Sequence, residues 1–399
     1  MIPNSIERRA RWVLDSIGAF DIGFGDDVAF NAEAWEQLER GERPNDPIAE
    51  GFYHLARVEE HNGARDRHGR FLASESCLDP FDPPLEKLRQ SFGVEPPRWR
   101  GARFAIVLTH DVDVPWRWTK SGVLRTGAQL KHYIRNRKAS KAFHTVHSLA
   151  SIPIHKIRGT DPNWNFDRIL RIERTQGVRS TFFVMSGHGH RADGMNPEVY
   201  ERLRPQLVEI LREGGSEIGL HGSYLAAEDI SRLQLEHMSL EDIAGPVSGQ
   251  RFHYLRGDPV GNFRDLDTLG FTYDTSLGFA DSPGFRAGIA HPFRPWNWES
   301  DCPFNFIEIP LALMDVTLSE DRYLGLSSLD SRVLIERIVD WANQSGGGFS
   351  VLWHTDRFDS SLSCGWDKLY SHLIEKVHEC GGVCLSAEEL AAEVIGWER

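Results

Sequence analysis

The sequence predicts an α/β protein whose strands form a parallel sheet or barrel. From residue 104 onward, short apolar runs alternate with stretches of helical periodicity. This alternation is typical of parallel strands joined by crossover helices. Several of the apolar runs also end in Asp, His or Arg. Parallel α/β folds collect their reactive side chains at the carboxyl ends of the strands, so both observations favour the same class.

The predicted elements follow one another from residue 104. The run FAIVLT (104–109) predicts the first strand, and apolar residues at helical spacing over 166–177 predict a helix. A strand at 180–185 comes next. The helix predicted at 197–215 begins with proline and ends in glycines, as helices often do. Further strands are predicted at 217–222, 247–256, 271–277, 304–313 and 348–355.

Residues 1–100 differ in composition from the rest of the chain and are predicted to form an N-terminal accessory region. They are rich in acids and turn residues, as in GERPNDPIAE and LDPFDPPLEK. The stretch PPRWRGAR (96–103) has the composition of a linker. Residues 101–399 form the predicted main domain, and the length of 399 residues suits one large domain or two smaller ones.

Charge and cysteine content exclude some classes of function. The formal net charge of −13 argues against a protein whose whole surface binds nucleic acid. The five cysteines are odd in number and form no CxxC pair, which suits a reducing compartment. The N-terminal residues lack a long apolar run, and no segment approaches the ~20 apolar residues of a transmembrane helix. We therefore expect a soluble, cytoplasmic protein.

The first predicted strand leads into THDVD (109–113), which places Asp111 and Asp113 two positions apart. In an extended chain, residues i and i+2 point to the same side, so both carboxylates can face one pocket. Two neighbouring acids both stay ionised at low cost only beside a cation. A divalent metal together with an arginine would meet that need.

Six motifs follow one another along the chain: THDVD (109–113), STFFV (180–184), EIGLHGSY (217–224), GQRFHYLR (249–256), YDTSLGF (273–279) and LWHTD (352–356). In this order they resemble the motifs of the NodB-like polysaccharide deacetylases, carbohydrate esterase family 4. The resemblance covers about residues 103–390. It implies a distorted (β/α)7 barrel of about seven strands and metal-dependent hydrolysis of an acetyl group on a sugar.

The resemblance implies roles for three residues around a metal. Asp111 matches the catalytic base, Asp113 matches an acidic metal ligand, and His221 matches the first metal histidine. Zinc is the expected divalent metal, because His and Asp ligands with an open position for water form its usual hydrolytic site.

The chain departs from the family pattern at Leu225, where a second metal histidine is usual. His253, in RFHYLR, is the candidate replacement, because it lies on the next strand and can project toward the same pocket. A packed core histidine is the alternative interpretation of His253. His188 and His190, in a glycine-rich stretch, are a further option. Without a third ligand the site would bind metal poorly.

One arginine is expected to hold the carboxylate of Asp111 ionised and oriented. Arg251 is the first candidate for this role and Arg256 the second, and both lie in the motif where the family has such an arginine.

A histidine at the last motif is expected to act as the general acid. His354 matches the histidine that protonates the leaving group, and its ordinary pKa near neutrality suits that work. Asp315 and Asp274 are equal candidates to orient His354 and raise its pKa. Leu352 would line the pocket for the acetyl methyl group.

Other side chains near the motifs are candidates for substrate binding. They include Arg256 and Tyr224. Trp353, Trp296 and Trp298 would stack on sugar faces, although aromatic residues of this kind also serve as ordinary core.

Residues 114–160 form a predicted basic insertion. The segment contains ten Lys and Arg residues and four His, but no Asp or Glu. A solvated, partly disordered loop is one interpretation. The functional interpretation is that it binds an anionic group, such as a nucleotide or lipid pyrophosphate carried by the sugar, or phospholipid headgroups in a peripheral membrane contact.

The leading hypothesis is therefore a metal-dependent carbohydrate deacetylase that acts on an N-acetylated sugar or glycan intermediate. Two alternatives remain open at this point. One is hydrolysis of a non-sugar linear or cyclic amide on the same scaffold, and the other is a non-catalytic glycan-binding protein.

Overall fold

The computed structural model describes residues 2–194, 196–359 and 361–397 and is built around a curved parallel sheet. Its strands are β1 (Ala105–Val112), β2 (Thr181–Met185), β3 (Glu217–Gly222), β4 (Gly249–Phe252), β5 (Tyr273–Asp274), β6 (Trp296–Asn297), β7 (Cys302–Pro303), β8 (Ile307–Glu308), β9 (Leu311–Met314), β10 (Gly348–Leu352) and β11 (Val383–Leu385).

The main sheet has the order β8-β5-β4-β3-β2-β1-β10-β9, with parallel neighbours, and β11 also pairs with β1. The two edge strands, β8 and β9, are separated in the chain by only Ile309 and Pro310. The two edges of the sheet therefore lie close together, and the sheet curls into a distorted barrel. Strands β6 and β7 form a small antiparallel ribbon. The predicted α/β barrel is confirmed.

The predicted strand over 304–313 is divided in two. Pro310 has no backbone N–H to donate to a strand ladder, so regular pairing stops there. As a result, β8 and β9 are separate, and the path of the sheet contains eight strands where about seven were expected. The predicted strand over 271–277 is reduced to the two residues of β5.

Side chains of β1 alternate between the barrel interior and the surrounding helices. Every residue of the strand is buried. Thr109 and Asp111 point inward, and both accept hydrogen bonds from Arg251. His110 points outward, where its Nε2 lies 3.0 Å from Glu173 Oε1 and 3.2 Å from the Tyr370 hydroxyl. The histidine of THDVD is therefore a packing residue, whereas the acids face the interior.

Helices surround the sheet and also form the N-terminal region and the basic insertion. They are α1 (Asn4–Ser16), α2 (Ala32–Glu39), α3 (Pro47–Leu55), α4 (Pro84–Ser91), α5 (Lys120–Arg135), α6 (Ala139–Ala150), α7 (Ile152–Arg158), α8 (Phe166–Gln176), α9 (Pro197–Glu213), α10 (Ile230–Ala244), α11 (Phe263–Leu269), α12 (Asp315–Ser319), α13 (Ser328–Ser345), α14 (Trp366–Glu379) and α15 (Ala387–Trp397). No helix within the described ranges is both long enough and apolar enough to cross a membrane.

The N-terminal helices pack against the part of the chain between β5 and β8. Trp12 of α1 and Phe52 of α3 contact Trp296, with ring centroids 4.9 and 5.3 Å apart. Buried Arg286 forms an ion pair with Glu60. The N-terminal region therefore shares a hydrophobic cluster with the barrel.

The basic insertion forms three helices, α5, α6 and α7, where a partly disordered loop was one expectation. Helices α5 and α6 pack against each other. Lys138 and Lys141 form ion pairs with Asp321, which lies between α12 and α13. These contacts attach the insertion to the side of the barrel that carries the strand ends.

Candidate active site

The candidate site lies at the carboxyl ends of the barrel strands. Asp111 is near the end of β1 and Asp113 follows it, while His221 is on β3 and Arg251 on β4. His354 follows β10. Because neighbouring strands are parallel, these ends meet at one rim of the barrel. They adjoin a cavity of about 200 Å³ whose lining includes Asp111, Asp113, His253, Leu352 and His354.

Asp113, His221 and His253 form a group with the spacing of metal ligands. Their potential ligand atoms all lie within 4.8 Å of one another. Asp113 Oδ1 is 3.1 Å from His221 Nε2 and 3.6 Å from His253 Nε2. The side chains of both histidines are buried, and the side chain of Asp113 is partly exposed. The structure thus brings His253 to the position where a third ligand was sought.

The hydrogen bonds of both histidines leave Nε2 directed at this group. His221 Nδ1 donates to the Arg251 carbonyl oxygen at 2.9 Å, and His253 Nδ1 donates to Asp193 at 3.3 Å. Bonds of this kind fix the tautomer of a metal-ligating histidine. Asp113 Oδ1 and His221 Nε2 are buried and have no hydrogen-bond partner. Because buried polar atoms are normally satisfied, this donor set fits a divalent metal.

Sequence reasoning did not identify Asp193, which holds His253 in place. Its carboxylate accepts backbone hydrogen bonds from Gly189, His190 and Tyr224 at 2.8–3.1 Å. Burial would raise the pKa of Asp193, but the bond from His253 and these backbone bonds outweigh it and hold the pKa well below its usual range. The one sequence signal was an acid in the glycine-rich stretch SGHGHRADG.

His253 reaches the site because strand β4 continues into a sharp turn. Arg251 and His253 are two positions apart and both point inward. The next two residues, Tyr254 and Leu255, have left-handed φ angles of 62° and 54°. This conformation is unfavourable for residues other than glycine, and it turns the chain away immediately after His253.

Arg251 pairs with Asp111, and it was the first of the two candidate arginines for this role. Arg251 Nη1 lies 2.9 Å from Asp111 Oδ1 and 2.8 Å from Thr109 Oγ1. The guanidinium is completely buried and lies over the Phe183 ring at 4.6 Å. Asp111 Oδ2 is 3.6 Å from His221 Nε2. One carboxylate oxygen of Asp111 is therefore held by Arg251, and the other faces the metal-ligand group.

His354 is oriented by Asp315. Its Nδ1 lies 2.7 Å from Asp315 Oδ1, and Arg357 Nε donates to Asp315 Oδ2 at 2.6 Å. Burial would lower the pKa of His354, but Asp315, Asp113 and Asp111 outweigh it and raise that pKa to about 10. His354 Nε2 is 3.7 Å from Asp113 Oδ2, so its second nitrogen faces the metal-ligand group.

Asp274 does not fill the role for which it competed with Asp315. It is fully buried at β5, where it accepts hydrogen bonds from Gln250 and Ser276. Burial raises its pKa, and Glu308 is a close acidic neighbour. Asp274 does not contact His354 because β5 is not a neighbour of β10, whereas β9, which leads directly into Asp315, pairs with β10.

Arg256 and Tyr224 contact each other beside the cavity and are not part of its lining. The guanidinium of Arg256 lies over the Tyr224 ring at 4.1 Å and binds Glu228. The ring of His190 is also stacked on the Tyr224 ring, with the ring centroids 4.3 Å apart. Arg256 therefore does not pair with Asp111, and both side chains act as support for the loop after β3.

The predicted sugar-stacking tryptophans are core residues. Trp353 is fully buried against Trp366 and Tyr370, because it alternates with Leu352 and points away from the cavity. Leu352 lines the cavity as expected. Trp296 and Trp298 pack against the N-terminal helices, both in contact with Phe52.

His188 and His190 lie outside the metal-ligand group. The ring of His188 packs on Tyr200 at 4.7 Å, and desolvation lowers its pKa to about 4. His190 Nδ1 accepts a hydrogen bond from the Ala192 backbone. The geometry therefore does not support His188 or His190 as a metal ligand.

Segments that are distant in sequence add three arginines to the cavity wall. They are Arg70, Arg125 and Arg322. Arg70 is neutralised by Asp66 at 2.7 Å, whereas Arg125 and Arg322 form no ion pair with any described residue. The periodicity of the sequence did not predict that these three residues line the cavity. A larger cavity of about 810 Å³, between α1 and α15, contains none of the predicted site residues.

Comparison with known proteins gives similarity to solved structures only, since no family model and no curated protein sequence matches the chain. A protein from Mycobacterium smegmatis, described as a polysaccharide deacetylase, is 19% identical with a TM-score of 0.49, covering 76% of this chain and 95% of its own. A protein from Pseudomonas aeruginosa PAO1 with the same description is 15% identical with a TM-score of 0.49, covering 79% and 97%. The allantoinase PuuE is 15% identical with a TM-score of 0.48, covering 79% and 96%.

Proposed function

We propose that the protein is a metal-dependent hydrolase that removes an acetyl group from an N-acetylated sugar or glycan intermediate. The observation that supports this most directly is the Asp113–His221–His253 group beside two further polar pairs. Asp111 lies on one side of it with Arg251, and His354 lies on another with Asp315. A hydrolase needs a base, an acid and an electrophile around one small pocket, and these groups would supply them.

Asp113, His221 and His253 would hold the metal, for which zinc is the proposed ion because the ligands are two imidazoles and a carboxylate. A divalent metal bound there would act as a Lewis acid for an acyl oxygen and a water. The hydrogen bonds from the histidine Nδ1 atoms to Arg251 and Asp193 would keep both rings in position.

Asp111 would accept the proton of the attacking water through Oδ2. Its Oδ1 is held by Arg251 at 2.9 Å, so the carboxylate is oriented before substrate arrives. Arg251 is fully buried and also donates to Thr109 Oγ1 at 2.8 Å, so the guanidinium that orients this carboxylate is itself held in place.

His354 would donate a proton to the departing amine nitrogen. Its Nδ1 is occupied by Asp315, which leaves Nε2 for the substrate. The raised pKa of His354 keeps the ring protonated at neutral pH, as a general acid requires. Asp315 would act as a positioning residue.

The cavity wall suggests how the substrate would lie. Leu255, Met314 and Leu352 form a buried apolar cluster that could receive an acetyl methyl group. Arg125 and Arg322 also line this cavity and form no ion pair with any residue that the structure describes. This supports a substrate with an anionic group, such as a sugar linked to a nucleotide or lipid pyrophosphate. All five cysteines are free, which is consistent with a reaction in the cytoplasm.

Metal analysis combined with an acetate-release assay tests the proposal. We expect about one divalent metal per chain, acetate release from an N-acetylated sugar substrate, and loss of both on chelation with recovery when zinc is returned. Asp111→Asn should keep the metal but reduce kcat by roughly 10²–10⁴-fold. Chelator-insensitive hydrolysis of a linear or cyclic amide, or glycan binding without hydrolysis, would contradict the proposal and favour the alternatives.

A further inference from the structure

Helices α5, α6 and α7 have an inverted distribution of side chains. Those buried on α5 and α6 are small or polar: Gly122, Thr126, Thr145 and Ser148. Seven large apolar side chains of these helices point to solvent, with exposed fractions from 36% for Val123 to 87% for Ile157. An ordinary surface helix buries its apolar side chains and exposes its polar ones. We define the insertion surface as Leu124, Ile134, Phe143, Val146, Ile154 and Ile157 with the basic residues between them.

Exposed apolar side chains are concentrated in this part of the chain. Fourteen large apolar side chains are exposed among the described residues, and seven of them lie between residues 123 and 157. Phe143 and Val146 are three positions apart on α6, as are Ile154 and Ile157 on α7. Residues at this spacing lie on one side of a helix. Each of these helices therefore presents an apolar stripe, a feature that marks an interaction site.

The same helices carry a strong positive charge. The segment 114–160 has ten Lys and Arg residues and no acid, in a chain whose net charge is −13. Lys131, Arg135, Arg137, Lys156 and Arg158 are exposed and form no ion pair with any residue that the structure describes. Although the chain as a whole is acidic, the positive charge of this segment would attract a negatively charged surface.

We propose that the insertion surface docks the protein on an anionic phospholipid bilayer. Exposed apolar side chains interleaved with Lys and Arg are what an interfacial helix needs, because the apolar groups enter the acyl boundary while the cations contact the headgroups. A nucleic acid would leave Phe143 and Ile157 unused. A second copy of this chain would bring two strongly basic surfaces together, which like-charge repulsion opposes.

Docking in this way would place the active-site cavity next to the bilayer. Arg125 belongs to α5 and also lines the cavity that contains Asp113. The distance from the insertion surface to the cavity is therefore spanned by a single helix. A substrate held at the membrane surface could reach the site without the protein leaving the bilayer.

Vesicle co-sedimentation of the full chain tests the proposal. We expect binding to vesicles of phosphatidylcholine mixed with phosphatidylglycerol, roughly tenfold or more weaker binding to phosphatidylcholine alone, and weakening as salt rises. The triple variant Leu124→Ser, Phe143→Ser, Ile157→Ser should lose most of the binding. Lys131→Glu with Arg135→Glu should weaken it at least roughly tenfold.

Leu235→Ser with Met238→Ser is the matched control, because both residues are exposed and apolar on α10, outside the insertion. It should bind like the unchanged protein. Circular dichroism and thermal unfolding of each variant show whether it is folded, and exposed substitutions of this kind change stability little. Three outcomes would overturn the proposal. One is that the protein does not bind anionic vesicles, and another is that the control loses as much binding as the triple variant. The third is self-association, without any vesicle binding, that the triple variant abolishes. None of these outcomes depends on deacetylase activity.

Discussion

Asp111 and Asp113 are tolerated at the end of a buried strand because positive or proton-donating groups surround each of them. Arg251 contacts Asp111, and His221 and His253 face Asp113. Burial would raise the pKa of Asp113, but the neighbouring histidines outweigh it and hold that pKa well below its usual range. At the residue scale, the site is a set of charges that stabilise one another and that a divalent metal would complete.

Replacing His253 with Ala should remove the third metal ligand. We expect metal affinity to fall by at least roughly 10–100-fold, because replacing even a residue that only hydrogen-bonds to a metal ligand has an effect of that size. Isothermal titration of metal-free protein with zinc measures it directly. His190→Asn is the control, since its side chain can still cap the Ala192 N–H, and it should bind zinc normally. Unchanged affinity in His253→Ala would show that His253 is a packing residue.

Replacing His354 with Ala should reduce kcat by about 10²–10⁴-fold while bound metal stays the same, because the leaving group would lose its proton donor. Asp315→Asn should have a smaller effect and a different signature. Without the Asp315 charge the pKa of His354 falls, so the alkaline limb of the pH–kcat profile should move to lower pH. A profile that keeps its alkaline limb would exclude the positioning role of Asp315.

At the scale of elements, glycines decide how closely the strands and their covering side chains approach. Gly249 begins β4, and the ring of Tyr273 from β5 lies directly over its Cα. The Tyr273 hydroxyl in turn binds Glu217 at the start of β3. Three neighbouring strands are therefore tied together at a position that has no room for a side chain.

Gly249→Ala should destabilise the protein by about 1–3 kcal/mol, because the new methyl group overlaps the Tyr273 ring and the core cannot expand without strain. Gly127→Ala is the matched comparison. Gly127 lies within α5 with open space around its Cα, so the change should stabilise the protein by about 0.5–1 kcal/mol through helix propensity. Urea unfolding of both variants checks the opposite signs, and a loss of stability in both would contradict this account.

At the scale of the whole molecule, one buried ion-pair cluster joins the N-terminal region to the barrel. Glu60 binds Arg57 at 2.8 Å and Arg286 at 2.5 Å, and the side chains of all three are buried. Burial would raise the pKa of Glu60, but Arg286 and Arg57 outweigh it and lower that pKa to about 2. The carboxylate is therefore ionised in the folded protein across the physiological range.

Because the folded pKa of Glu60 is depressed, its contribution to stability is present above the unfolded value near 4.5 and is lost as pH falls toward about 2. The difference corresponds to about 3 kcal/mol at neutral pH. Glu60→Gln should lose about that much or more, since it leaves buried Arg286 without its ion-pair partner.

Thermal or denaturant unfolding between neutral pH and acid measures this, and the Glu60→Gln variant should show a flatter acid limb. Glu299→Gln, which removes an exposed ion pair with Arg264, should change stability by less than about 1 kcal/mol. An acid limb as steep in Glu60→Gln as in the unchanged protein would mean that other carboxylates control acid unfolding.

Local patterns in the sequence determined the α/β class, the strand ends that carry chemistry and the shared direction of Asp111 and Asp113. These features depend on periodicity within one strand, which a sequence displays directly. Only the tertiary structure decided that Asp315 rather than Asp274 meets His354, and that Asp193 supports His253. It also placed Trp353 in the core and turned the basic segment into helices with exposed apolar faces. Those outcomes depend on which strands become neighbours and where loops return, and residues far apart in sequence meet only after the sheet has closed.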